Sequence, residues 1–217
     1  MVDYARARRA MVDSQLSTSG VYDRRLLSAM GRLPREMFVP EPRKAIAYID
    51  EPHLMREGSG RFLAAPAVFA RLVELADIGE QDEVLDLGAG SGYSTAVLAC
   101  LSAHVLGLEA DAALVDEANA RLAALGLDTA RVVFGDEHSL NAEMFDVIIV
   151  EGALPDAPAD LIARLRPGGR LVALIRQGGV GVATVYLNGV DGVTARTEFN
   201  ASLHDLRPAA AGERFVF

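Results

Sequence analysis

From Glu83 onward the chain alternates short, nearly continuous apolar runs with helical stretches, and that alternation leaves few folds open to it. The runs are Val84-Leu85-Asp86-Leu87, Val105-Leu106-Gly107-Leu108, Val132-Val133-Phe134, Val147-Ile148-Ile149-Val150 and Leu171-Val172-Ala173-Leu174-Ile175. Residues 94–101, 112–125 and 159–165 read as helices between them. A strand that is apolar at nearly every position is buried on both faces, which requires a parallel sheet with helices on each side. The expectation is therefore a three-layer α/β fold with a mostly parallel sheet. After Arg176 the pattern turns antiparallel: residues 182–187 alternate, Asn188-Gly189 and Asp191-Gly192 are turn dipeptides, and 193–199 follows as a second strand. Arg214-Phe215-Val216-Phe217 reads as a last short strand.

The first third has another texture. Residues 3–31 read as two helical pieces broken at Ser17-Thr18-Ser19-Gly20, the second placing Leu26, Leu27 and Met30 on one face. Pro34, Pro40, Pro42 and Pro52 exclude a long helix from the segment that follows. Gly58-Ser59-Gly60 is a flexible loop, and a helix begins at Pro66. Residues 1–80 carry 12 basic and 11 acidic side chains, whereas the remainder carries 9 and 19. The expected division is a helical N-terminal extension with a substrate-side loop (1–80) on a ligand-binding core (81–217), forming one compact unit.

The net charge of −9 argues against nucleic-acid and anionic-membrane partners. Arg6, Arg8 and Arg9, flanked by Asp3 and Asp13, read as a solvated helix face. One cysteine, Cys100, excludes an internal disulfide framework and argues against a cysteine-based zinc site. No run is long enough to span a bilayer, and the opening residues are polar and basic. A cytoplasmic protein, monomeric or weakly dimeric, is expected.

The strongest local signal is Asp86-Leu87-Gly88-Ala89-Gly90-Ser91-Gly92-Tyr93, between the first strand of the core and a helix. Glycines let the backbone turn sharply and let a ligand lie on bare main chain, while the helix start offers unpaired N–H groups. A dinucleotide loop would place its third glycine where Tyr93 stands, which disfavours a nicotinamide oxidoreductase. S-adenosylmethionine fits better: its carboxylate can use the loop N–H groups, with Asp86 near its ammonium end. Glu109 ends the second strand, 23 residues past Asp86, and can accept both ribose hydroxyls. Asp136, beside Glu137 at the end of the third strand, can accept from the adenine amino group. All three acids lie at carboxyl ends of parallel strands, where open sheets bind ligands. Asp136, Glu137 and His138 alone make a weak case for a metal, and none is expected.

These pieces resemble the protein-L-isoaspartate O-methyltransferase family, a branch of the class I S-adenosylmethionine-dependent methyltransferases with a Rossmann-like sheet. The likeness runs through Met11-Val12-Asp13-Ser14-Gln15-Leu16, Pro34-Arg35-Glu36-Met37-Phe38-Val39-Pro40, the glycine loop, Phe145-Asp146-Val147-Ile148-Ile149-Val150 and Leu165-Arg166-Pro167-Gly168-Gly169-Arg170-Leu171. It implies cofactor contacts at Asp86, Gly88, Gly90, Glu109 and Asp136; Ala89, Ser91 and Glu137 join them as neighbours in the same two loops. It also implies a protein or peptide substrate, methylated on the carboxylate of L-isoaspartyl residues.

One loop departs from the family. Where the family has a Gly-Gln-Thr-Ile-Ser-Gln-Pro type of sequence, this chain reads Gly60-Arg61-Phe62-Leu63-Ala64-Ala65-Pro66. Phe62 replaces the threonine and Ala64 the serine, so no hydroxyl stands at the position beside the acceptor, and no catalytic residue is assigned there. Methylating a carboxylate needs no base, because the nucleophile is already anionic at pH 7. Phe62, Leu63, Ala64 and Glu151, at the end of the fourth strand, are the expected substrate-side residues. Two alternatives stay open: a methyltransferase of this fold with another acceptor, and a cofactor-binding protein without turnover.

Overall fold

The computed structural model describes residues 2–206. The strand expected at Arg214–Phe217 lies outside the described residues. Helix α1 (Tyr4–Met11) opens at Asp3, whose side chain accepts from the Arg6 N–H at 3.0 Å. Instead of stopping, it continues through a π turn (Val12–Leu16) and a 3-10 turn (Ser17–Ser19), and ends at Gly20 with φ 88°. Helix α2 (Arg24–Arg32) is capped by Asp23 and buries Leu26, Ala29 and Met30; Leu27 is only half-buried. The proline-rich stretch forms two 3-10 segments, Arg35–Phe38 and Glu41–Ile46. Two short strands, β1 (His53–Leu54) and β2 (Phe62–Leu63), then pair antiparallel around the loop that joins them. Pro66 opens α3 (Pro66–Ala76).

The core strands and helices follow in order: β3 (Glu83–Leu87), α4 (Tyr93–Ala99), β4 (His104–Glu109), α5 (Ala112–Ala124), β5 (Ala130–Phe134), β6 (Phe145–Leu154), α6 (Ala159–Ile162), β7 (Leu165–Gln177), β8 (Val180–Gly189) and β9 (Gly192–Ala201). They form a seven-stranded sheet ordered β5-β4-β3-β6-β7-β8-β9. β5 through β7 are parallel, and β8 and β9 are antiparallel. The chain winds outward from β3 to β5 and then returns to β6 on the other side of β3. That reversal opens a crevice at the carboxyl end of β3.

Both faces of the sheet are buried, as the apolar runs require. In β6, Val147 and Ile149 join one core cluster while Ile148 and Val150 join the other; Val172 and Leu174 of β7 alternate in the same way with Leu171, Ala173 and Ile175. The first cluster also takes in α3, α4, α5 and the N-terminal helices. The second layer is thin, since α6 is a single turn rather than a helix over 159–165: Leu165 already pairs with Phe145 as the first residue of β7.

Irregularities in β6 and β7 position the site. Pro167-Gly168-Gly169 lies within β7, where the register against β6 shifts between Phe145 and Val147. A second shift falls between Ile149 and Ala153, so Val150, Glu151 and Gly152 stand opposite Ala173 alone. This bulge re-aims Glu151 at the carboxyl end of the sheet. Residues 203–206 run along it, with Ala153 N–H donating to the His204 carbonyl and Leu206 N–H donating to the Ala153 carbonyl.

Candidate active site

The glycine loop leaves β3 at Leu87 and turns back under α4. Gly88 has φ 87°, and the N–H groups of Gly88 and Ala89 both donate to the Leu108 carbonyl, at 2.8 and 3.0 Å. The loop is thus tied to the end of β4, which brings Glu109 alongside it. Glu109 is 1% exposed and heavily engaged. Its Oε2 accepts from the Gly90 N–H at 2.8 Å and from Arg61 Nη2 and Nε at 3.0 and 3.2 Å, while Oε1 accepts from the Asp111 N–H.

A cavity at this end of the sheet is lined by Gly88, Glu109, Asp136, Glu137, Arg61 and Leu206, among others. Four of the expected cofactor residues therefore meet around one space. Ala89, Gly90 and Ser91 are buried in the loop behind it, and Ser91 N–H points at the Met55 sulfur at 3.1 Å. Asp136 caps the turn at 137–139, accepting from the His138 N–H, with its carboxylate at the mouth.

Asp86 lies beneath the loop rather than on the cavity wall. Ser94 and Thr95 hydroxyls donate to its Oδ2 at 2.8 and 2.6 Å, and its Oδ1 is buried without a partner. Burial, and more weakly the charge of Glu109, push this carboxyl up to about 6 against the hydrogen bonds from Thr95 and Ser94. Its orphaned oxygen is the mark of a carboxylate placed for something other than packing.

A second cavity adjoins the first and holds Phe62, Ala64, Glu151, Arg61 and His204. The Phe62 ring stacks flat on the His204 imidazole, centroids 3.4 Å apart. Leu63 points instead into the core, as its place in β2 dictates. Glu151 Oε1 is buried with no partner, and burial together with neighbouring Asp86 raises this carboxyl well above the usual range. Tyr93 packs against Phe38 and Phe69 and takes no part in either cavity. His138 is exposed, while His53 is buried and pairs with Leu63 across the two short strands.

Two residues here escaped sequence reasoning. Arg35 is fully buried, stacked over the Tyr93 ring, and donates to the Ala47 and Ala64 carbonyls at 2.8 and 2.6 Å. It anchors the backbone of the Gly60–Pro66 stretch. Arg61 is the side chain that touches both cavities. The signal for Arg61 was a charged residue inside an otherwise apolar Gly60–Pro66 stretch, visible but overshadowed by the missing hydroxyls.

Comparison with known proteins places these features in context. The family model described as protein-L-isoaspartate(D-aspartate) O-methyltransferase matches residues 6–200. A protein-L-isoaspartate O-methyltransferase of Methylorubrum populi is 43% identical over 174 residues, covering 79% of this chain and 80% of that one. One from Methanoregula boonei is 39% identical over 168 residues, covering 76% of each. Among solved structures, a protein-L-isoaspartate O-methyltransferase superposes with TM-score 0.80 at 20% identity, over 94% of this chain and 66% of that longer one. A putative one from Plasmodium falciparum, in complex with S-adenosyl-L-homocysteine, superposes with TM-score 0.77 at 22% identity, over 92% of this chain and 98% of that one. At such identities the structural likeness speaks for the fold.

Proposed function

Because the chain belongs to the protein-L-isoaspartate(D-aspartate) O-methyltransferase family, we propose that it methylates the free carboxylate of L-isoaspartyl residues in proteins or peptides, using S-adenosylmethionine. The observation that carries this reading is the convergence of Gly88, Glu109 and Asp136 on one cavity, next to a second one built from the acceptor loop. The residues fit the nucleoside cation: Gly88, Glu109, Asp136 and Glu137 line the cavity, and the orphaned buried oxygen of Asp86 lies beneath the loop that bounds it. Gly88, Gly90, Glu109, Asp136 and Glu137 are the proposed cofactor residues, with Asp86, Ala89 and Ser91 supporting the loop. Phe62, Ala64 and Glu151 face the acceptor, Leu63 holds the loop in place, and residues 1–80 serve as the substrate-side extension of the core.

When bound, S-adenosylmethionine supplies a methyl group on a sulfonium, which the acceptor carboxylate oxygen takes as the C–S bond breaks, leaving a methyl ester and S-adenosylhomocysteine. The chain's own work is positioning. Holding an oxygen in line with the methyl supplies up to ~7–11 kcal/mol of the barrier without any base. Phe62, stacked on His204, walls the acceptor cavity and keeps water out; Arg35 fixes the Ala64 backbone beneath it. Among the described residues no helix is long and apolar enough to cross a membrane. A cytoplasmic location and a monomeric or weakly dimeric state complete the proposal.

The test is methyl transfer from radiolabelled S-adenosylmethionine to an isoaspartyl peptide, with the aspartyl peptide as control and calorimetric titration of S-adenosylhomocysteine alongside. Base-labile label on the isoaspartyl peptide alone is the expected result. Cofactor binding without label on either peptide would shift the assignment to another acceptor.

A further inference from the structure

Arg61 sits where two ligands would have to pass it. Its Nη2 lies 2.6 Å from the point a Gly88 Cβ would occupy, so the guanidinium covers the bare glycine surface together with the Leu206 side chain. Its Nε and Nη2 are spent on Glu109 and its Nη1 on the Leu206 carbonyl at 3.0 Å. The room left beside it is a cavity of about 50 Å3, far below the ~300 Å3 at which small-molecule pockets begin. In this position Arg61 occupies the Glu109 oxygen that a ribose hydroxyl would use.

On the other side, the acceptor cavity offers a carboxylate little fixed charge of its own: burial keeps Glu151 protonated well above the usual carboxyl range, and Asp205 is paired with Arg176 at 2.7 Å. Glu151 and Asp205 line it, and Asp86 lies close enough to Glu151 to raise its pKa. Arg176 donates to Asp205 and the Leu203 carbonyl and is not on the cavity wall. Burial and nearby Arg176 hold His204 below the usual imidazole range, against the pull of Asp205, leaving it neutral at pH 7. Arg61 is the cationic side chain on that wall.

We propose that Arg61 is the residue that binds the acceptor carboxylate, and that Glu109 holds it in reserve until the nucleoside displaces it. Ribose hydroxyls and Arg61 compete for the same Glu109 oxygen, so cofactor binding frees the guanidinium at the moment an anionic acceptor is needed. A planar fork suits a carboxylate better than the hydroxyls missing at Phe62 and Ala64. The arrangement makes cofactor-first binding obligatory and selects acceptors that carry a negative charge. This inference rests on the methyltransferase reading above.

The experiment compares wild type with Arg61→Gln and Arg61→Lys, by calorimetric titration of S-adenosylhomocysteine and S-adenosylmethionine and by steady-state kinetics on the isoaspartyl peptide. Removing a competing charge-assisted bond predicts about tenfold tighter S-adenosylhomocysteine binding in Arg61→Gln. The gain is larger for S-adenosylmethionine, whose sulfonium is repelled by the guanidinium. The peptide KM rises about tenfold or more with a smaller change in kcat, and Arg61→Lys recovers part of it. Unchanged or weaker nucleoside binding by Arg61→Gln overturns the proposal, as does an unchanged peptide KM. If wild type binds nucleoside yet ignores the peptide, the isoaspartyl reading fails, and the nucleoside affinities alone decide whether Glu109 holds Arg61 in reserve.

Discussion

Arg35 Nη2 donates to the carbonyl oxygen of Ala64 at 2.6 Å, across 29 residues of sequence and with both groups buried. The loop that lost its hydroxyls is thus still held in place through its backbone, by an arginine that stacks on Tyr93 at the start of α4. A loop can lose its side-chain chemistry and keep its shape when its anchor is elsewhere. Arg35→Lys keeps the charge but not the fork that reaches both Ala47 and Ala64. The expected cost is about 1–3 kcal/mol in urea unfolding, from one unsatisfied buried carbonyl. Peptide KM rises with it, whereas S-adenosylhomocysteine affinity changes little because Arg35 does not line that cavity.

Restoring the lost hydroxyl tests the same loop in the opposite direction. Ala64 is 5% exposed and borders the acceptor cavity beside Phe62. Ala64→Ser adds one donor there without touching the Arg35 bond, which uses the backbone. One net hydrogen bond corresponds to an increase of about three- to tenfold in kcat/KM on the isoaspartyl peptide. A drop in kcat/KM at unchanged stability would show that the acceptor cavity is built to be apolar at this point.

Asp86 links the cofactor loop to a pH-dependent stability. Its carboxyl is raised to about 6 from an ordinary 3.8, mainly by burial. A raised acid favours the folded state fully below its unfolded pKa, and that contribution is lost as pH rises through about 6. Asp86→Asn removes the buried charge while its amide oxygen still accepts from Ser94 and Thr95. The variant is expected to be more stable than wild type at pH 7–8, by up to about 2–3 kcal/mol. The difference shrinks toward pH 4 in denaturant titrations.

Much of this architecture was legible in the chain. The alternating apolar runs dictated the parallel strands because burial on both faces leaves no polar position to disguise them, whereas the caps at Asp3 and Asp23 emerge only in the structure. What else escaped is non-local. The bulge that aims Glu151 depends on register between β6 and β7, which no run of residues encodes by itself. Arg61 gains its role only once the β1–β2 loop folds over Gly88. The one-turn α6 was overestimated because an apolar leucine, Leu165, serves a strand as well as a helix.

His53 carries the opposite sign to Asp86. Burial first, then the charges of Arg35 and Arg43, depress its imidazole to about 4 from 6.5. A histidine buried neutral contributes stability that is complete above its unfolded pKa and lost as pH falls through its folded one. Wild type is therefore destabilised between pH 6.5 and 4 by this residue, in the window where protonation of Asp86 favours the fold. His53→Gln removes the titration and keeps a polar side chain of similar reach. Its urea midpoint, plotted against pH beside wild type, should fall less steeply on acidification, by up to about 3 kcal/mol at pH 4. Parallel curves would mean that His53 already finds a proton-accepting partner in the folded state, and that the acid limit of this enzyme is set elsewhere.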